Sequence, residues 1–253
     1  MTDASRLPES IENVEEFFDE FVRLNGGVRA SDEVGKAPNF RNADYILHDR
    51  KIIMELKELQ KNFIEDEDFV TAAKKIKIDR HMKDWEGKSI ESQEEFDNVI
   101  LTEIKSTMRK KLAQILKKAN TQIKDLKKQG ITQDYNGVVI IVNERFDRYP
   151  HEYIFSVLCS VLSQQYSSIR VLVYCTINLW TAANDGTDNL IWLTAYSDKA
   201  EDALAGQVDD LGRAMFNLLN SKGIVDEELY REIERLEDMT DMINPRSFRR
   251  EDS

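Results

Sequence analysis

The stretch Asn42-Ala43-Asp44-Tyr45-Ile46-Leu47-His48-Asp49-Arg50-Lys51-Ile52-Ile53-Met54-Glu55-Leu56-Lys57 decides how the chain is read. Two short runs rich in Ile, Leu and Tyr flank a polar centre, the pattern of a β-hairpin. With Asp49 and Arg50 as the loop, His48 faces Lys51, Ile46 faces Ile53 and Asp44 lies directly across from Glu55. Strand side chains alternate between faces, so Asp44, Ile46, Ile53, Glu55 and Lys57 share one face. Like charges directly across two strands repel. A divalent cation between the two acids removes that penalty, and hard oxygen ligands are what Mg²⁺ takes.

An acid near the start of one strand, followed by acid-x-Lys on the next, resembles the signature of the PD-(D/E)XK nuclease superfamily. Asp44 matches the first acid and Glu55-Leu56-Lys57 the second part. Ala43 stands where the pattern commonly has proline, and Pro38 lies further upstream. The resemblance spans roughly residues 10 to 145. It implies an α/β fold with a restriction-endonuclease-like core, a central mixed β-sheet flanked by helices. It also implies hydrolysis of phosphodiester bonds, DNA favoured over RNA, with Mg²⁺ or Mn²⁺ held by Asp44, Glu55 and the backbone carbonyl of Leu56. Lys57 is expected to orient the attacking water and stabilise charge on the phosphate.

The flanking segments fit that scheme. Ile11, Val14, Phe17, Phe18, Phe21 and Val22 form a helical stripe over Glu9–Leu24, which Asn25-Gly26-Gly27 ends. Members of the superfamily often draw an accessory acid from the first helix, and Glu15 beside the stripe is the match; its plainer reading is a solvated helix-face acid. Residues 28–41 read as a loop or a short irregular strand. Leu101, Ile104, Met108, Leu112, Ile115, Ala119, Ile123 and Leu126 recur every three or four residues and predict a long helix over Val99–Gln129. Lys111, Lys118, Gln122 and Gln129 fall along one flank of its buried stripe. The resemblance points to Gln122 near the metal, with Lys111, Lys118 and Lys124 on nucleic acid; a merely solvated basic face is the alternative. Val138–Val142 reads as a strand buried on both faces. His151–Gln165 follows as a helix, then Arg170–Thr176 and Leu190–Ala195 as strands, with Asn184–Asp188 as a loop.

One large domain, or a core with additions, is expected, without a sharp boundary: a nuclease-like core over 1–197, carrying a charged helical insertion at 58–98, and a C-terminal helical extension over 198–253. Within the insertion Glu65-Asp66-Glu67-Asp68 reads as an acidic turn. The extension comprises a helix over Ala200–Leu219, a second one capped by Asp226 and ended by Pro245, and a disordered tail. The formal net charge of −12 argues against indiscriminate polyanion binding, but charge is polarised along the chain. Lys105–Lys128 carries nine basic residues against one acid, whereas Asp198–Ser253 carries fifteen acids against eight bases. That basic segment speaks against an acidic mimic of DNA. Cys159 and Cys175 lie in apolar segments without metal-type spacing, which together with the lack of a signal-peptide pattern predicts a cytoplasmic protein. No window has the apolar length of a membrane span. A nuclease that cuts both strands is often a homodimer, and no segment marks an interface. The non-enzymatic alternative is a nuclease-like scaffold that binds nucleic acid or a protein without cutting.

Overall fold

The computed structural model describes residues 10–35, 40–59, 93–130, 132–147, 149–182, 188–225 and 247–248. The first helix, α1 (Val14–Leu24), starts later than its apolar stripe predicts, because Asn13 caps it: the Asn13 side chain accepts from the Glu16 N–H at 3.1 Å. Phe17, Phe18 and Phe21 are buried along one face. The segment expected as loop holds β1 (Val28–Arg29) and a short helix α2 (Ala30–Val34). The hairpin follows as β2 (Tyr45–Leu47) and β3 (Ile52–Leu59). Its register pairs Ile46 with Ile53 and Tyr45 with Met54, as the two-residue loop predicts.

The long helix α3 (Gln93–Lys127) starts six residues before its predicted first residue and connects β3 to β4 (Asn136–Asn143), which runs parallel to β3. Next come α4 (His151–Gln165) and β5 (Ile169–Thr176), parallel to β4. Then follow β6 (Trp180–Ala182), β7 (Asp188–Asn189), β8 (Trp192–Tyr196), α5 (Asp202–Ser221) and β9 (Ser247–Phe248). The result is an α/β fold around a mixed six-stranded sheet, ordered β1-β2-β3-β4-β5-β8, beside a small sheet β7-β6-β9 that the sequence reading did not anticipate. The expected insertion beyond Leu59 up to residue 92, the acidic turn, Pro38, residues 184–187 and the second C-terminal helix lie outside the described residues.

Period-two alternation sorts the sheet into two apolar layers. Met54, Leu56, Val138, Ile140, Val142, Val171 and Val173 pack with α1 and α5. Ile46, Ile53, Leu59, Val139, Ile141 and Leu172 pack with α3 and α4. The unbroken run in β4 is thereby explained, since both its faces are covered. Helix α5, which lies in the expected C-terminal extension, covers the sheet through Leu204, Val208, Leu211 and Met215. On α3, Leu116 is fully buried and Ile115 only half-buried, reversing the predicted row. At 100° per residue both lie near the stripe, and packing against α4 selects between them.

Gly137 fixes the spacing of β4 and β5. A Cβ there would lie 2.1 Å from the Ser168 carbonyl oxygen and 2.8 Å from the Ile123 side chain. The β4–β5 register shifts at this point, between Gly137 and Val138. Gly137→Ala is therefore expected to destabilise the protein by about 1–3 kcal/mol, as overpacking of a filled core does. Chemical denaturation should show a lower midpoint with an unchanged slope; an unchanged midpoint would mean that the strands part freely here.

Candidate metal site

On β3 the face turned towards α3 reads Ile53, Glu55, Lys57, Leu59. Ile53 and Leu59 belong to the apolar layer there, so Glu55 stands at a core position. Its side chain is completely buried, at 0% exposure. Oε1 is paired with the Lys57 ammonium. Oε2 is buried without a hydrogen-bond partner. A buried ion costs several kcal/mol unless it is compensated. Burial, and then the charge of Asp44, push the Glu55 carboxyl up to about 8, against the pull of Lys57 and of the Asp44 backbone.

Asp44 is anchored from two sides. Its backbone carbonyl accepts from the Ala30 N–H at 2.9 Å. Its Oδ2 accepts from the Leu56 N–H at 2.8 Å, across the hairpin. Burial raises its carboxyl above the ordinary range, while the Leu56 N–H and the Lys57 charge lower it. Asp44, Glu55 and Lys57 thus converge within mutual electrostatic range, as the hairpin register predicts. Leu56 adds a contact that the sequence does not announce, through its N–H rather than its carbonyl.

Gln122 reaches from α3 to the segment that leads into β2. Its Nε2 donates to the Asn42 carbonyl at 3.0 Å, two residues before Asp44, and its Oε1 is buried without a partner. The helix is thereby tied to the chain leading into β2. Glu55 Oε2 and Gln122 Oε1 are both buried side-chain oxygens without a hydrogen-bond partner. Among the described residues no group of three or more His, Cys, Asp or Glu gathers to hold a metal. Two carboxylates suffice for Mg²⁺, which keeps several waters and is usually bound through one or two carboxylates. The donor set fits a hard divalent cation on those terms.

Glu15 lies on α1 with its side chain 62% exposed, 2.9 Å from Arg29. Its charge acts on Asp44 and raises that carboxyl further. Arg29 and Asp19, which sequence reasoning missed, form a cluster here. The Arg29 Nε donates to Asp19 Oδ1 at 2.7 Å, Nη2 contacts Asp19 Oδ2, and the Tyr45 hydroxyl donates to Asp19 Oδ1 at 3.0 Å. The one available signal was a lone Arg directly after Gly26-Gly27-Val28. Of the basic residues expected on α3, Lys118 and Lys124 are exposed and Lys111 is half-buried.

A second polar cluster is structural. The Tyr174 hydroxyl accepts from Asn143 Nδ2 at 2.8 Å and lies 2.7 Å from His151 Nδ1, while His151 Nε2 lies 2.8 Å from the Thr181 hydroxyl. With Nδ1 accepting and Nε2 donating, every group is satisfied by a neutral imidazole. Burial accordingly lowers His151 from 6.5 to about 4.

These shifts set the pH dependence of stability. Folded Glu55 titrates near 8 against an ordinary 4.5, so the folded state holds the extra proton and stability falls as pH rises between those values. His151 acts in the opposite sense, but only between about 4 and 6.5. From pH 6.5 to 8 the Glu55 contribution is therefore unopposed by His151, and the metal-free protein should lose thermal stability as pH rises. Glu55→Gln should flatten that slope. A metal-free wild type with a level melting temperature across this window would contradict the burial of Glu55.

Comparison of the chain with protein-family models, with curated proteins and with solved structures finds no match.

Proposed function

We propose that the chain is a metal-dependent nuclease of the PD-(D/E)XK type, acting on phosphodiester bonds with DNA as the favoured substrate. The observation that carries this reading is the buried Glu55 carboxylate, which has one oxygen on Lys57 and the other without a partner, beside the fixed Asp44. A purely structural glutamate at a core position would be expected to have both oxygens satisfied. The order of elements supports the same reading: a helix, the meander β1-β2-β3, a long crossover helix, and a parallel β4 at the centre.

Asp44, Glu55 and the Leu56 carbonyl would hold Mg²⁺ or Mn²⁺. Such an ion supplies a lowered pKa for bound water and neutralises charge on phosphate oxygens. Lys57 now compensates Glu55; with Glu55 engaged elsewhere, its ammonium is released to orient the attacking water and to stabilise charge growing on the phosphate. Gln122, anchored through Nε2, offers Oε1 as an acceptor for a water proton. Lys118 and Lys124 on the exposed side of α3, with Lys111 beside them, bind backbone phosphates, so affinity falls steeply with salt.

Asp44→Ala and Lys57→Ala should each lower metal-dependent cleavage of a DNA substrate by about 10²–10³-fold, the scale of losing one group that stabilises the transition state. Both variants should retain the circular dichroism spectrum of the parent. Undiminished cleavage in either variant would refute the assignment, and a wild type that binds nucleic acid without cutting it under Mg²⁺ or Mn²⁺ would leave a binding scaffold.

A further inference from the structure

Arg29 stands on the edge strand β1, next to the site, and its bonding is uneven. One side of the guanidinium is held permanently: Nε donates to Asp19 at 2.7 Å, Nη2 contacts the other Asp19 oxygen, and the Tyr45 hydroxyl, donating to the same carboxylate at 3.0 Å, fixes its orientation. The second partner of Nη2 is Glu15, whose side chain is 62% exposed and makes no other ion pair among the described residues. Nη1 donates to nothing among the described residues, and the Arg29 side chain is 40% exposed. Arg29 is thus a pre-oriented fork with one edge locked and one edge facing solvent, where a single loose carboxylate sits. Its charge is felt at Asp44, and so is that of Glu15, with opposite signs.

A guanidinium fork with a free edge matches a tetrahedral phosphate better than a single carboxylate oxygen does. Glu15 offers one contact and, being exposed, pairs weakly. We propose that Arg29 is a phosphodiester-binding residue of the site, and that Glu15 is its removable counter-ion, displaced when a backbone phosphate arrives. This rests on the nuclease reading of Asp44, Glu55 and Lys57. Glu15 then regulates substrate binding through Arg29, and Asp19 acts as the positioning residue that keeps the fork aimed. Displacement also moves the Glu15 charge away from Arg29 as phosphate charge enters, so the charge around Asp44 is held roughly constant.

The test is fluorescence anisotropy of a labelled DNA duplex, with Ca²⁺ replacing Mg²⁺ so that the strands stay intact. Glu15→Gln removes the competitor and should tighten binding roughly two- to fivefold at low salt, the range of an exposed ion pair. Arg29→Gln in a Glu15→Gln background keeps Asp19 in place with an amide donor beside it and removes the fork. Compared with Glu15→Gln alone, it should weaken binding and reduce the slope of log K against log salt by about one, the signature of one lost phosphate contact. Equal or weaker binding by Glu15→Gln, or an unchanged salt slope on removing Arg29, would overturn the assignment of Arg29 while wild-type cleavage left the nuclease reading intact. A wild type that neither binds nor cuts nucleic acid would overturn both.

Discussion

The structure depends on one unfavourable placement: a carboxylate in the apolar layer between the sheet and α3. Glu55 lies between Ile53 and Lys57 on the strand face that otherwise feeds the core, and its neighbour across the parallel ladder is Val139. Burial there would favour an aliphatic side chain, and the nearness of Asp44 makes a charge still harder to hold. The chain compensates only in part, with a lysine on one oxygen and no hydrogen-bond partner on the other. On the proposed reading a cation enters this dry corner because it neutralises both acids at once and frees Lys57 from Glu55.

The surrounding fold keeps that corner from relaxing. Strand β4, buried on both faces, fixes β3 through a parallel ladder running from Ile52 to Leu59. Asp44 is held through its carbonyl by Ala30 at the start of α2 and through its carboxylate by β3. Gln122 ties α3 to Asn42 and closes the layer above. Groups with so few alternatives are pre-oriented, which is what a site that binds charge requires, since no reorganisation is then needed when the charge arrives. Arg29 is held in the same way by Asp19, within electrostatic reach of Asp44.

Much of this was legible in the sequence because strand periodicity is strict. One residue of slip would invert every face, so the register Ile46 to Ile53 could be deduced from the positions of the apolar residues and the loop, and with it the meeting of Asp44 and Glu55. The run Val138–Val142 announced a strand covered on both sides for the same reason, and His151–Gln165 bounded its helix correctly. The depth of Glu55 was not legible, because an acid in an alternating pattern reads as solvent-facing until α3 is known to lie over it. Arg29 was hidden because β1 has only two residues, too few to show a period. The small sheet β7-β6-β9, with strands of two or three residues, is likewise too short to show a period. On α3, adjacent rows of a long helix differ by less than the width of the buried stripe, so Leu116 and Ile115 exchanged places.

The central claim is that Glu55 is a cation ligand which a proton occupies when no ion is bound. Isothermal titration calorimetry of Mg²⁺ or Mn²⁺ into the protein near neutral pH, repeated in buffers of different ionisation enthalpy, measures this directly. The account predicts saturable binding with release of about one proton per ion, as expected when a ligand must deprotonate to bind, and loss of that release in Glu55→Gln. Absence of saturable binding, or a binding heat independent of the buffer, would contradict it.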